Sequence, residues 1–526
     1  MKNNNQLFQK ALQYMQLKDF NSAEKELNQI TEEDQKKNTQ VLALLGLIYF
    51  QTGKFDSALN KTNQVLFVEP NNIHIINLRG MIFQKKRDAE EAKKNYKKAI
   101  DLVPGFKEAR NNLVKLLIVE QKYNEAIDYL KPLVELNDNS ALFDLANMHL
   151  NYTKQFSESK RLFEIFISYN TNDKRGYLGK IRALNYLNRN EEALVICDEF
   201  EQKFGENDQE FLNYKGIIYK EIEDYLNSQD NFFKALEIEE NEKIRRNLSG
   251  VYLLNKQFDK GWFYFTEKKN HELNKIQDDA SIIFKANQGI GDQLLYIKII
   301  HQIEKYSMYK IQLDIDKRLH KIVELKYPHL KIINQENIKQ DEIVTDISNA
   351  PFVLNEIAKK NKKTFSDMLD IKPLKKIKNK KNKIVGLAWK STNPNIGQYK
   401  SINLEYLIDI LKEKEIHNLQ YFDDKSEIES LPKPIKYRTD IDYKNDISQL
   451  YEIMTKLDVV ITISNFTAHL AGFFEIPTIL LIPKGKGNIW YWHNEKESFW
   501  YPSIRLVKQK KIGDWTSVKD ELISLL

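Results

Sequence analysis

An all-helical repeat array followed by a two-lobed α/β half, an α + α/β multidomain chain, is the architecture that three features of the sequence predict. A small residue recurs about every 34 positions through the first half. That period stops near residue 275, where short β-branched runs begin to alternate with helical stretches. A run of seven lysines in fourteen positions, 371–384, then divides the second half in two. The predicted domains are 1–275 for the repeats, 276–375 for a first α/β lobe and 383–526 for a second.

The bulk composition agrees with several packed cores. A chain of 526 residues exceeds what one core supports. Its 42% hydrophobic and 11% aromatic content suits folded domains rather than disorder. With 80 basic and 74 acidic side chains the net charge is +6, near balance for this length, so no field points to nucleic acid. The single cysteine, Cys197, lies in the helical stretch "EEALVICDEF" and reads as a small buried thiol; no disulfide can form within the chain. The start, "MKNNNQLFQKALQYMQ", lacks the apolar stretch of a signal peptide, and no window approaches 18 consecutive apolar residues. A soluble cytoplasmic protein without a transmembrane segment is expected.

The repeat is carried by Ala23, Ala58, Ala92, Ala126, Ser159, Ala193, Ser228 and Gly261, at intervals of 35, 34, 34, 33, 34, 35 and 33 residues. Six of the eight follow an aromatic residue three positions earlier: Phe20, Phe55, Tyr123, Phe156, Tyr225 and Phe258. In "VLALLGLIYFQTGKFDSALNKTNQVLFVEPNN", Gly46 permits close helix approach, Gly53 makes the turn, and Pro70 ends the second helix. This pattern resembles the tetratricopeptide repeat. About eight helix pairs are predicted, with a groove suited to a peptide or protein segment. The alternative is a solenoid that braces the second half or mediates self-association.

In the second half, "ASIIFKANQGIGDQLLYIKIIHQIEKY" predicts strand, loop and helix, and "KIQLDID", "KIVELKY" and "LKIIN" continue as strand, helix and strand. The lysine run serves as a hinge. After it come "IVGLAWKS", "IHNLQYF", "DVVITIS" and "PTILLIP" as strands, with "INLEYLIDILKE", "ISQLYEIMTKL" and "TAHLAGFFE" as helices between them. Two α/β lobes on either side of a hinge imply a cleft.

The candidate site residues sit where strands give way to helices. Gly289 and Gly291 let a ligand approach the backbone, and Asp292 opens the following helix, as a poised carboxylate or simply a favourable charge for the helix dipole. A dinucleotide fingerprint needs a third glycine near 294, where the chain has Leu294, although Asp314 stands about where a ribose-binding acid belongs. Asp314 with Asp316, and Asp440 with Asp442, have a spacing that can hold a metal; capping by Asp316 is the alternative, and no metal site is assigned. Lys390 and Lys400 flank a strand end, as phosphate ligands or surface charges. Ser464, Asn465 and Thr467 can cap a helix or bind a diphosphate, and His469 lies one turn in, as a ligand or a packing residue.

Taken in order, "GIGDQLLY", "VGLAWKS...YKSINL", "NLQY", "SNFTAHLAGFFEIPTILLIP" and "WYWHNEKESFWYPSIRLVKQKKIGDW" resemble bacterial proteins that join tetratricopeptide repeats to a heptosyltransferase-like domain of the two-lobed GT-B fold. The resemblance implies metal-independent transfer of a sugar from a nucleotide-sugar, which is donor substrate rather than cofactor, to an acceptor, a protein or peptide recruited by the repeats. It implies Asp292 as general base, Lys400 at the donor phosphate, Gln420 near the nucleoside and His469 as the histidine of the "AHLAG" helix. Family members usually carry aspartate where this chain has Ser464. That departure points away from heptose, toward another activated hexose, a nonulosonic acid, or a lobe without catalysis that leaves a repeat scaffold.

Overall fold

The 34-residue spacing is a helix pair. The computed structural model describes residues 2–267, 273, 275–333, 342–369, 384–421, 425–431, 434–438, 440–493 and 495–526. Among these, the pairs are Lys2–Gln16 with Phe20–Leu27, Thr39–Gln51 with Phe55–Val68, Ile73–Lys85 with Ala89–Leu102, and Lys107–Val119 with Tyr123–Glu135. They continue as Asn139–Asn151 with Phe156–Tyr169, Lys174–Tyr186 with Asn190–Phe204, Gln209–Glu221 with Tyr225–Ile238, and Glu242–Leu254 with Phe258–Phe265. A short helix, Glu32–Lys36, is extra.

All eight small residues of the repeat are buried. Each aromatic that precedes one opens its helix. Where serine replaces alanine, its hydroxyl donates to the facing helix: Ser159 Oγ to the Ala146 carbonyl at 2.9 Å, and Ser228 Oγ to the Gly216 carbonyl at 2.8 Å. The glycines of the first helices make room for rings. A Cβ on Gly80 would stand 2.6 Å from the Tyr96 ring, and one on Gly216 would stand 2.8 Å from the Phe232 ring.

Five positions before each small residue the backbone turns left-handed, at Lys18, Gly53, Arg87, Gln121, Lys154, Asn188, Glu223 and Lys256. In most pairs the next amide bonds back five residues, as Lys54 N does to Tyr49 O at 2.8 Å and Asp88 N to Phe83 O at 2.9 Å, which closes the first helix. Only one of these eight turns carries glycine, so composition alone hides the repeat of the turn.

The chain forms two compact units, Met1–Ile196 and Cys197–Leu526. The first consists of helices, with cores such as that formed by Ala92, Tyr96, Leu113, Leu130, Phe163 and Phe166. The repeat period outruns this unit: the last two helix pairs share the second unit with the sheets. One apolar core there runs from Leu253, Phe258 and Trp262 through both sheets to Trp500 and Leu506.

The sheets are parallel. The first has the order β3-β2-β1-β4, with β1 Ser281–Lys285, β2 Lys310–Asp314, β3 Lys331–Ile332 and β4 Ile343–Asp346. The second has the order β6-β5-β7-β8-β9, with β5 Ile384–Ala388, β6 Glu415–Asn418, β7 Val459–Ile463, β8 Thr478–Ile482 and β9 Ile504–Lys508. Strands β4 and β9 are not among the predicted strands. The strand order reverses beside β1 in the first sheet and between β5 and β7 in the second, the places where α/β sheets open a crevice at their carboxyl ends. The lysine-rich hinge lies outside the described residues, apart from Ile384 at the start of β5.

Gly53 has φ +76° with nothing within 4 Å of an added Cβ, so it isolates the cost of the turn. Replacing it with alanine is expected to lower stability by about 1 kcal/mol, read as a fall in the denaturation midpoint, because left-handed backbone disfavours any Cβ.

Candidate functional site

Loops at the carboxyl ends of both sheets meet at one place in the second unit. The helix Ile290–Tyr306, which follows β1, packs against the helix Phe466–Phe473, which follows β7. Their contact is close because Gly291 has no side chain: a Cβ there would lie 2.9 Å from His469 Cδ2 and 3.5 Å from Phe466 Cα. Gly289 differs, since its Cβ would find only the Asp292 carboxylate, at an ordinary 3.6 Å. The two glycines predicted to admit a ligand therefore differ in use. Gly291 admits the other lobe.

Asp292, in the first turn of its helix, accepts a hydrogen bond from the Tyr491 hydroxyl. Burial pushes its carboxyl above the usual carboxylate range, opposed by that bond and by the Lys400 cation. Lys400 closes the single turn Gly397–Lys400 after β5 and is buried. Its Nζ donates to the Ser464 carbonyl at 3.1 Å. Burial pulls the ammonium down to about 8, with Asp292 acting in the opposite sense. An unfolded lysine keeps its proton to 10.5, so holding Lys400 as a cation destabilises the fold, and this contribution is relieved as pH rises from about 8 toward that value.

His469 is buried beneath Tyr491, Trp492 and Tyr501, with Nδ1 3.1 Å from the Tyr501 hydroxyl. Burial first, and then Lys400, drive its imidazole down to about 3. It is neutral at any working pH and shapes the site as a packed ring rather than as a second cation.

The remaining predicted residues are held by the protein. Gln420 staples two strand ends: its Oε1 accepts from Trp389 N at 2.9 Å and Lys390 N at 3.0 Å, and its Nε2 donates to Lys390 O at 3.1 Å. Lys390 pairs with Glu427 rather than pointing to a phosphate. Ser464 Oγ accepts from Trp492 Nε1 at 2.8 Å. Thr467 Oγ1 donates to Leu419 O at 3.4 Å. Asn465 caps its helix through Oδ1, which accepts from Ala468 N and from Thr462 Oγ1. Its Nδ2, like Asn418 Nδ2 at the end of β6, is buried without a hydrogen-bond partner among the described residues. These two donors stand at the ends of β6 and β7, the strands on either side of β5, and are of the kind that a water or a ligand satisfies.

Two buried aromatics stand at the site: Tyr491, which bonds to Asp292, and Trp492, which bonds to Ser464 and packs on His469. Neither was predicted as a site residue. They stand just past the carboxyl end of β8, and that position was the signal available in the sequence. Of the paired aspartates, Asp314 keeps a buried Oδ2 without a hydrogen-bond partner among the described residues, and the other three are held locally. Asp316 caps the turn at Arg318 N at 3.0 Å and pairs with the Arg318 guanidinium, Asp440 pairs with Arg438, and Asp442 accepts from Lys444 N and Asn445 N.

In the first unit, the first helices of the first three pairs line a cavity with Phe8, Leu44, Leu47, His74, Leu78 and Met81. Asn112 Nδ2 donates to Asn77 Oδ1 at 3.0 Å across equivalent helices, and in the second unit Asn247 does the same to Asn213. Among the described residues, no helix is long and apolar enough to cross a membrane.

Residues 4–119 match a tetratricopeptide repeat-like domain. Protein FlbA of Caulobacter vibrioides is 22% identical over 556 residues, spanning 96% of this chain and 87% of its own length. The TPR repeat-containing protein MJ1428 of Methanocaldococcus jannaschii is 27% identical over 275 residues, and the match spans 49% of this chain and 45% of that protein. A tetratricopeptide repeat protein of Parabacteroides merdae has a solved structure that covers 47% of this chain and 98% of its own, at 22% identity and a TM-score of 0.34. The match covers the first helix pairs, and helix pairs of the same spacing continue beyond it to Phe265. The likeness to FlbA also takes in the α/β half.

Gly291→Ala is expected to cost about 1–3 kcal/mol, since the His469 ring is fixed by its neighbours and cannot retreat. Gly289→Ala should be nearly neutral. Paired thermal melts of the two variants check this.

Proposed function

We propose that the second unit transfers a sugar from a nucleotide-activated donor and that the repeats bind the acceptor, a protein or peptide. The observation that carries this reading is the placement of Asp292 and Lys400: a carboxyl with a raised pKa and an ammonium with a lowered one, supplied by different lobes, at the carboxyl ends of two parallel sheets. Burying both groups is costly, and such perturbed pairs concentrate where chemistry is done.

In the proposed step an acceptor hydroxyl oxygen forms the new bond to the anomeric carbon, while the bond from that carbon to the donor phosphate oxygen breaks. Asp292 takes the hydroxyl proton. The nucleoside diphosphate leaves as an anion, stabilised by Lys400 and by donors at the start of the helix after β7, with Asn465 Nδ2 as a further candidate. General-base help of this kind typically supplies about 10² to 10⁴ in rate. The relation to FlbA extends over both halves and is compatible with one joint activity. The apolar cavity of the first unit suits an extended segment with apolar side chains.

A second reading, a repeat scaffold whose α/β half has lost chemistry, is favoured by one set of observations: Ser464, Gln420 and Lys390 all spend their polar atoms inside the protein. Asp292→Asn separates the two. On the transferase reading it abolishes transfer from a nucleotide-sugar and leaves donor binding intact; transfer at the wild-type rate in that variant removes Asp292 from the mechanism. Absence of both transfer and binding across a panel of nucleotide-sugars supports the scaffold.

The pH profile follows from the same pair. Activity requires Asp292 as carboxylate and Lys400 as ammonium, so the rate should fall on the acid side at a pH above the usual carboxylate range. It should fall again as pH rises through about 8. Lys400→Met should lower the rate and remove the alkaline limb.

A further inference from the structure

The helix Ile290–Tyr306 carries another group of chemically active side chains, nine positions beyond Asp292 and so about 14 Å farther along its axis. His301 and Glu304 are three positions apart on that helix and share a face. His329 arrives from the segment that follows the helix His320–Lys326 and precedes β3. His301 Nδ1 lies 3.0 Å from His329 Nε2, and Glu304 Oε2 lies 3.2 Å from the same nitrogen. One ligand atom from each of the three lies within 4.8 Å of the others.

We propose that His301, Glu304 and His329 bind one zinc ion, with the fourth coordination position open to solvent. Two atoms each bound at 2.0–2.1 Å to a tetrahedral centre stand about 3.3 Å apart, close to both measured separations. Hydrogen bonding satisfies the group less well. Nε2 of His329 faces an imidazole nitrogen on one side and a carboxylate on the other, and a single hydrogen on that nitrogen cannot point well at both. A cation between the three takes one lone pair from each at once. Two imidazoles with one carboxylate form a donor set suited to zinc, whereas magnesium prefers oxygen ligands and retains its waters.

The surroundings fit a metal clip. The Tyr327 ring stacks on His301 with centroids 4.4 Å apart, which fixes the imidazole plane. The side chains of Glu304 and His329 are 31% and 44% exposed, so an ion can enter and a water or a partner's side chain can complete its shell. The ion would tie the long helix to the connection between β2 and β3 across 28 residues of chain. It would take no part in the sugar transfer proposed above, and this inference does not depend on that reading.

The test is a zinc titration of the full-length, tag-free chain after chelator treatment, read by competition with a chromophoric chelator and by thermal melts. Wild-type protein should bind one equivalent at micromolar affinity or tighter, with a higher melting temperature in zinc and no displacement by excess magnesium. His329→Ala and Glu304→Gln should each weaken binding by about tenfold or more, while melting without zinc stays as in wild type, because both side chains are partly exposed. Wild-type protein that fails to bind zinc, or variants that bind it as tightly as wild type, would overturn the proposal.

Discussion

The contact between Gly291 and the His469 ring is the constraint on which the second unit's arrangement depends. A missing side chain on one lobe lets the start of its long helix rest on a buried imidazole of the other. That approach brings Asp292 under Tyr491 and into the field of Lys400. Any larger residue at 291 would separate the two groups whose altered ionisation defines the site.

The electrostatics follow from the packing. Tyr491, Trp492 and Tyr501 exclude water around His469, so the imidazole is neutral and adds no second positive charge beside Lys400. Lys400 is left as the basic group within reach of Asp292, anchored to the Ser464 carbonyl. Serine at 464, in place of an acid, has a physical consequence: its hydroxyl accepts from Trp492, whereas a carboxylate there would add a negative charge close to Asp292 and Lys400. The position works as a joint between β7 and the aromatic segment after β8.

Much of the helical half was legible because its repeat is a steric rule. Ala23, Ala58 and their equivalents are buried where two helices touch, and that need recurs at a fixed spacing. The left-handed turns obey the same period but accept lysine, arginine, glutamine and glutamate, so they left no mark in the composition. In the α/β half the apolar central strands were evident. β4 was not, because only Thr345 of its four residues is buried, and β9 was lost within a long polar and aromatic tail. Of the candidate site, Asp292, Lys400 and His469 were visible as polar residues in the helices and turns that follow strand ends. The bonds of Gln420 and Lys390 were not legible, since their partners, Trp389 N and Glu427, belong to other strand ends and helices that only the fold brings near. Tyr491 could not be singled out from a tail rich in aromatics.

The central claim is that both lobes contribute to one ligand site at this junction. Hydrogen–deuterium exchange of the full chain, with and without a saturating nucleotide-sugar found by binding screen, addresses it most directly. The account predicts simultaneous protection of residues 289–296, 397–402 and 464–470. Protection confined to one lobe, or none in any of the three segments, would contradict it.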